Sequence, residues 1–429
     1  MIVIGPHLVR SAALLNSTTL SLQGDTNLTS PTPLEVFASH NITHLLWNGV
    51  TLPTMQTNHS TLLATIPSPA NPFPTDKPLK ITSWKSTDAL PERFPSHPDT
   101  GPAWMTASDL TTPNLSIHPN TSTHPFLFAD QYGFHTGMRL WRGRFSSPNA
   151  TGVFLSVQGG TAHAWSAYLN GVFLGSWAGD ARMAVGNATL DFPKGVVKEE
   201  GNVLLVMHDD MGHDEQGGAV NVRGLLNATL LGAGGGGFEG WKVAGAATVR
   251  EKGKREGRAL DAVRSVYNEG GLVAERLGWH LPGFDDSGWG GGEGDGPREG
   301  FKGAGVRFYR GKLPLDVPRG VDVSLAFRFK PVDVDGEALE HRVLLFVNGW
   351  QYGRYYPSIA AEDTFPVPVG VLDYGGENVV CLAVWALRGG GARVGVEVVV
   401  RYAVGSSLDV QFDGAYLRPG LESAREAYV

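Results

Sequence analysis

Four segments of this chain occur twice in the same order, and that repeat limits the fold more than any other feature. Arg139-Leu-Trp-Arg-Gly-Arg-Phe145 returns as Arg307-Phe-Tyr-Arg-Gly-Lys-Leu313, and Ala167-Tyr-Leu-Asn-Gly-Val-Phe-Leu-Gly175 as Leu345-Phe-Val-Asn-Gly-Trp-Gln-Tyr-Gly353. Phe192-Pro-Lys-Gly-Val196 matches Val367-Pro-Val-Gly-Val371, and Gly201-Asn-Val-Leu-Leu-Val206 matches Glu377-Asn-Val-Val-Cys-Leu382. Order and spacing are both kept, which is the mark of one domain present twice. Asn170-Gly171 and Asn348-Gly349 each lie between apolar runs, and Asn-Gly is the pair that a two-residue type I′ hairpin turn demands. The copied unit is therefore a β-domain.

The rest of the chain agrees. Val153–Val157, Val203–Met207, Val321–Phe327, Val343–Val347 and Val379–Trp385 are short, β-branched or aromatic, and bounded by turn residues. With 57 glycines and 27 prolines in 429 residues, and only 18% charged residues, a helical bundle or coiled coil is excluded. An apolar fraction of 42% excludes global disorder. Short strands with glycine turns predict antiparallel sandwiches or jelly rolls. A net charge of −7 argues against nucleic acid, and no run of eighteen uncharged apolar residues predicts a membrane helix. The single cysteine, Cys381, excludes an intrachain disulfide framework and reads as a buried thiol in an apolar strand.

Nine of the seventeen asparagines stand in Asn-x-Ser/Thr sequons: Asn16, Asn27, Asn41, Asn58, Asn114, Asn120, Asn149, Asn187 and Asn227. Such a density predicts an N-glycosylated, secreted protein. Yet Met1-Ile-Val-Ile-Gly-Pro-His7 has no basic stretch followed by an apolar one and does not read as a signal peptide. The two readings agree if the sequence is part of a longer secreted chain.

Further motifs carry a resemblance. The Leu169-Asn-Gly-Val-Phe-Leu-Gly175 unit, its following Phe-Pro segment and Gly201-Asn-Val-Leu204 resemble a galactose-binding-like jelly roll. Gly5-Pro-His-Leu-Val-Arg-Ser-Ala12, Leu20-Ser-Leu-Gln-Gly-Asp25 and Leu45-Leu-Trp-Asn-Gly49 resemble the small β-domain behind the barrel of large fungal β-galactosidases, glycoside hydrolase family 35. Phe128-Ala-Asp-Gln-Tyr-Gly-Phe-His135 and Met207-His-Asp-Asp-Met-Gly-His-Asp-Glu215 look like that family's first jelly roll. Asn268-Glu-Gly-Gly-Leu-Val-Ala-Glu-Arg276 and Gly278-Trp-His-Leu-Pro-Gly283 look like its second.

The resemblance implies an all-β chain: a partial β-sandwich over 1–80, a first galactose-binding-like jelly roll over 81–235 and a second over 236–429. It also implies a parent enzyme that hydrolyses terminal β-D-galactosyl residues of β-galactosides and plant polysaccharides. That chemistry uses two glutamates on a (β/α)8 barrel in a retaining mechanism. A barrel needs ~250 residues of alternating strands and helices, and no such stretch is present, so no catalytic residue is assigned. The chain resembles the accessory, C-terminal portion, inert alone, with the absent barrel as its intramolecular partner. A stand-alone galactoside-binding sandwich and a purely bracing role are the alternatives.

The acidic pairs Glu199-Glu200, Asp209-Asp210, Asp214-Glu215 and Asp285-Asp286 are sequence neighbours, which solvated loops commonly provide. The loop from His208 to Glu215 is rich in oxygens but lacks EF-hand spacing, so it reads as a hydrogen-bonded rim and no metal or cofactor is assigned. Sugars stack on aromatic faces beside fixed polar groups, which makes Trp165, Tyr168, Trp177, Trp350 and Tyr352 the carbohydrate-contact candidates. Trp141 and Tyr309 hold equivalent repeat positions and read as core, and the isolated His163 and His280 as structural.

Overall fold

A computed structural model describes residues 1–39, 41–57, 59, 61–68, 73, 79–101, 103–107, 128–132, 134, 137–213, 221–245, 248–250, 258–260, 269–292, 296–332 and 339–408. Within them the chain is almost wholly antiparallel sheet, as the glycine-rich, strand-patterned sequence predicts. The lone α-helix among these residues, Val273–Arg276, is a single turn.

Each repeat builds a six-stranded sheet. In the first, Gly137–Phe145 and Asn202–Asp210 are central, with Ala164–Leu169 and Val172–Trp177 forming the Asn-Gly hairpin beside them. In the second, Gly305–Pro314, Glu377–Ala386, His341–Val347 and Trp350–Tyr355 take the same places. Both turns have the left-handed backbone of type I′: φ is 51° and 93° at Asn170-Gly171, and 47° and 93° at Asn348-Gly349.

The repeated asparagines are explained by a buried amide network. Asn170 Nδ2 donates to Val196 O and Asn202 Oδ1, both at 2.9 Å, while its Oδ1 accepts from Val203 N. Asn348 donates to Val371 O and Asn378 Oδ1, and accepts from Val379 N. Asn202 and Asn378 are fully buried and tie the preceding loop to the strand. A buried amide must satisfy all its hydrogen-bonding groups, so Asn is fixed at both places in each copy.

The repeated Arg-Gly pair has its own cause. A Cβ on Gly143 would lie 2.6 Å from the Trp241 ring, and one on Gly311 would lie 2.7 Å from the Trp84 ring. Each indole lies across a glycine of the neighbouring strand.

Those two tryptophans come from exchanged strands, each second from the edge of its sheet. Gly240–Ala244 pairs with Gly137–Phe145 of the first sheet, and Thr82–Asp88 pairs with Gly305–Pro314 of the second. The expected boundaries, 81–235 and 236–429, put each strand in the wrong jelly roll. Each domain takes this strand from beyond its expected limit, and the two strands share only the pair Trp-Lys, Trp84-Lys85 and Trp241-Lys242.

The sheets stack in four layers. A three-stranded sheet of Val185–Asp191, Gly152–Gln158 and Gly224–Leu231 covers the outer face of the first six-stranded sheet, enclosing Trp141, Val153, Leu204 and Val206. A sheet through Val321–Pro331 and Val394–Gly405 covers the outer face of the second, enclosing Leu325, Phe327, Leu382 and Val384. The two six-stranded sheets then face each other across Leu205, Met207, Phe308, Phe346, Cys381 and Trp385. The central strands are buried on both faces, which is why Val203–Met207 and Val379–Trp385 are apolar throughout instead of alternating.

The N-terminal unit is a sandwich with a separate core of Leu20, Leu22, Leu34, Val36, Leu45, Trp47 and Leu62. Its strand Thr19–Asn27 joins the second jelly roll's outer sheet through Val404↔Asn27 and Gly405↔Thr26, so one seven-stranded sheet spans both.

Candidate functional site

A buried polar cluster lies where the jelly rolls face each other. Asp209, 1% exposed, is the next-to-last residue of the strand Asn202–Asp210. Its Oδ2 accepts from Arg342 Nη1 at 3.0 Å and from Tyr356 OH at 2.6 Å, and its Oδ1 accepts from Arg354 Nη1 at 3.3 Å. All three donors belong to the second repeat. The Arg342 guanidinium also donates to Ala178 O at 3.1 Å and lies 4.2 Å over the Tyr356 ring. Burial, with the Asp209 charge second, raises the Tyr356 phenol above its usual value, so it remains a donor. Trp385 Nε1 donates to Ser166 Oγ at 3.0 Å across the same interface. Glu92 and Arg276, both fully buried, form a further ion pair. The cluster is an internal lock; its carboxylate is fully engaged by donors of its own chain.

The acidic pairs read from the sequence are likewise engaged or open to water. Asp210 pairs with Arg139. Asp286 accepts from Lys85 Nζ and Arg310 Nε, each at 2.8 Å, while Asp285 is fully exposed. Glu199 and Glu200 are exposed, and Asp214-Glu215 lies outside the described residues. His163, His208 and His280 are fully buried, with His280 Nε2 2.9 Å from Glu269 Oε1. Burial pushes His163 down to about 4 and His208 well below 6.5. Burial likewise pushes the Cys381 thiol up to about 12.

Two carbohydrate-contact candidates are placed where no ligand reaches. Trp165 and Tyr168 are 0% and 1% exposed. They lie on the doubly buried strand Ala164–Leu169, facing opposite cores. The apolar run around them, without alternation, carries that signal. Trp177, Trp350 and Tyr352 are half-buried. A β-bulge interrupts the strand after Trp350, since Phe346 pairs with Gln351 and Leu345 with Gly353, leaving Tyr352 outside the register between them. Its ring packs on the second core, and burial raises its hydroxyl to about 12. Trp141 and Tyr309 lie in the cores.

Six of the nine sequon asparagines fall within the described residues, and all six are exposed: Asn16, Asn27, Asn41, Asn149, Asn187 and Asn227. Asn58, Asn114 and Asn120 lie outside them. Asn187 and Asn227 both pair with Ser156, one from each side, on the outer face of the three-stranded sheet.

This architecture agrees with two family models. The β-galactosidase second all-beta domain matches residues 99–214 and again 273–390, and β-galactosidase domain 3 matches 1–63. The chain belongs to the β-galactosidase accessory-domain family. The probable β-galactosidase B of Neosartorya fischeri is 46% identical over 99% of this chain, and that of Aspergillus terreus 47% identical over 100%. In both cases the match takes in 41% of the relative's own length. The chain thus spans about two-fifths of these curated relatives and corresponds to their C-terminal portion. It carries the accessory domains and no catalytic domain. Among solved structures, a family GH78 rhamnosidase of a Bacillus species overlaps 63% of this chain and 32% of its own, at 15% identity and a TM-score of 0.22, too low to bear on function. Among the described residues no helix is long and apolar enough to cross a membrane.

Proposed function

We propose that this chain is the bracing, non-catalytic portion of a secreted, N-glycosylated β-galactosidase whose barrel removes terminal β-D-galactose from galactosides and plant polysaccharides. The observation that carries the reading is identity of 46–47% over essentially the whole chain, held within two-fifths of enzymes named β-galactosidase. The distribution of apolar surface supports it. Nine of the fifteen exposed large apolar side chains among the described residues lie between Met1 and Met55, including Ile2, Ile4, Leu14 and Val50. Ile4, Met55, Pro33 and Leu63 line a cleft of about 650 Å3 in the N-terminal unit. Apolar surface gathered on one unit marks an interaction face, and the barrel is its partner in this reading. The exposed sequons fit passage through the secretory pathway.

The test is complementation. Purified chain alone gives no turnover of a chromogenic β-galactoside, while mixing it with the separately expressed barrel portion of a fungal relative forms a complex and raises the barrel's thermal stability. Ile4→Asp combined with Met55→Asp abolishes the complex. Turnover by the chain alone, or failure of the wild-type chain to bind the barrel, refutes the proposal.

A further inference from the structure

The two repeats differ in one respect that bears on ligand binding. Trp241 and Trp84 occupy equivalent places, each on the strand next to the edge of its sheet and each across the glycine of an Arg-Gly pair. Trp241 is 2% exposed and packed against the Phe238 ring at 4.6 Å. Trp84 is only half-buried and forms the apolar wall of a cleft of about 830 Å3. The same scaffold is thus closed in the first jelly roll and open in the second.

The cleft lies at the edge of the sandwich, between Thr82–Asp88 and the strand Val394–Gly405, and its volume is within the ~300–1,000 Å3 usual for small-ligand sites. Its rim carries Arg298 and Glu299, both exposed, which supply planar donors and a planar acceptor. Gly296 holds these groups together. A Cβ there would lie 3.0 Å from Glu299 Oε2 and 3.2 Å from Trp84 Cδ1, so a bare backbone is what lets indole and carboxylate converge. Among the described residues the neighbouring Gly290–Gly291 strand is the outermost of its sheet.

An apolar indole wall beside a guanidinium and a carboxylate matches one ligand class. Sugar rings present apolar C–H faces and, at their edges, hydroxyls that need both donors and acceptors. We propose that this cleft is an oligosaccharide-binding site of the second jelly roll, with Trp84 as platform and Arg298 and Glu299 as hydroxyl partners. The galactose content of the ligand rests on the function proposed above; the sugar class rests on the cleft.

The experiment uses the whole chain and a β-1,4-linked galactotetraose, followed by saturation-transfer NMR and calorimetry. Binding is expected with millimolar affinity, weakened about tenfold by Arg298→Ala with Glu299→Gln and several-fold by Trp84→Phe. The exposed pair leaves the unfolding temperature unchanged, which separates lost binding from lost fold. No binding at ~10 mM ligand, or equal binding by the double variant, overturns the proposal. Equal binding of cellotetraose refutes the galactoside specificity. The readout needs no barrel. A chain that complements the barrel but ignores the tetraose sinks only the cleft, and the converse result sinks only the bracing role.

Discussion

Replacing Asp209 by alanine removes the one acceptor shared by Arg342, Arg354 and Tyr356. The Arg342 side chain is 3% exposed and the Asp209 side chain 1%, so the orphaned guanidinium cannot reach bulk water. Breaking a buried pair by deleting one partner costs about 3–5 kcal/mol, chiefly because the remaining charge stays buried. Arg354 adds less, since its side chain is 21% exposed and can hydrate. Asp209→Ala should therefore destabilise the chain by about 3–5 kcal/mol. Asp209→Asn, which retains shape and one acceptor, should cost about 2 kcal/mol. Urea unfolding followed by tryptophan fluorescence measures both. Because the lock joins the two jelly rolls, the alanine variant should also broaden or split the transition. The decisive arm is a double-mutant cycle with Arg342→Met. Removing both charges should recover part of the loss, since a buried ion pair is worth little more than apolar groups of similar volume. A loss below about 1 kcal/mol for Asp209→Ala, or strict additivity in the cycle, would refute the reasoning.

Acid should weaken the fold through the buried histidines. His163 and His208 have folded pKa values below their unfolded value of 6.5, so the unfolded chain binds more protons as pH falls below about 6.5. Stability should drop from there toward pH 4, on the order of 3 kcal/mol from His163 alone, and His163→Phe should flatten the measured pH–stability curve. Gly311→Ala should cost about 1–3 kcal/mol, because the new methyl meets the Trp84 ring at 2.7 Å; thermal melts test it against Gly195→Ala, where space is open but φ is +79°. Cutting the chain at 235/236 should give two insoluble halves, since each loses a sheet strand to the other; two soluble, cooperatively melting halves would contradict the exchanged topology. Expressed in a glycosylating host, Asn187→Gln and Asn227→Gln should each remove one glycan-sized step on a denaturing gel.

The repeat was legible because its residues obey local rules. A type I′ turn needs Asn-Gly, and a buried amide network needs Asn170 with Asn202, or Asn348 with Asn378. The exchanged strands were not legible, since Thr82–Asp88 and Gly240–Ala244 share only a Trp-Lys pair, and each tryptophan lies over a glycine distant along the chain. The layering was half legible. Val203–Met207 and Val379–Trp385 read as strands, yet their unbroken apolar character also meant burial on both faces. Reading it so would have removed Trp165 and Tyr168 from the sugar candidates.

The rims of the sheets also explain why one cleft is open. In a stacked pair of sandwiches the central strands are used up twice, once by each core, and have no face left for a ligand. Room for variation lies at the rims, where a sheet face is only half-covered. The first rim is closed by Phe238 against Trp241, while the second is spread by Gly291 and Gly296 around Trp84. The N-terminal unit is subject to the same constraint. One edge of its strand Thr19–Asn27 continues the second jelly roll's sheet through Gly405, and Ser406 Oγ donates to Asp25 Oδ1 at 2.6 Å, so that edge is taken. The unit's remaining apolar surface, from Ile2 to Met55, is then what is left for a partner outside this chain.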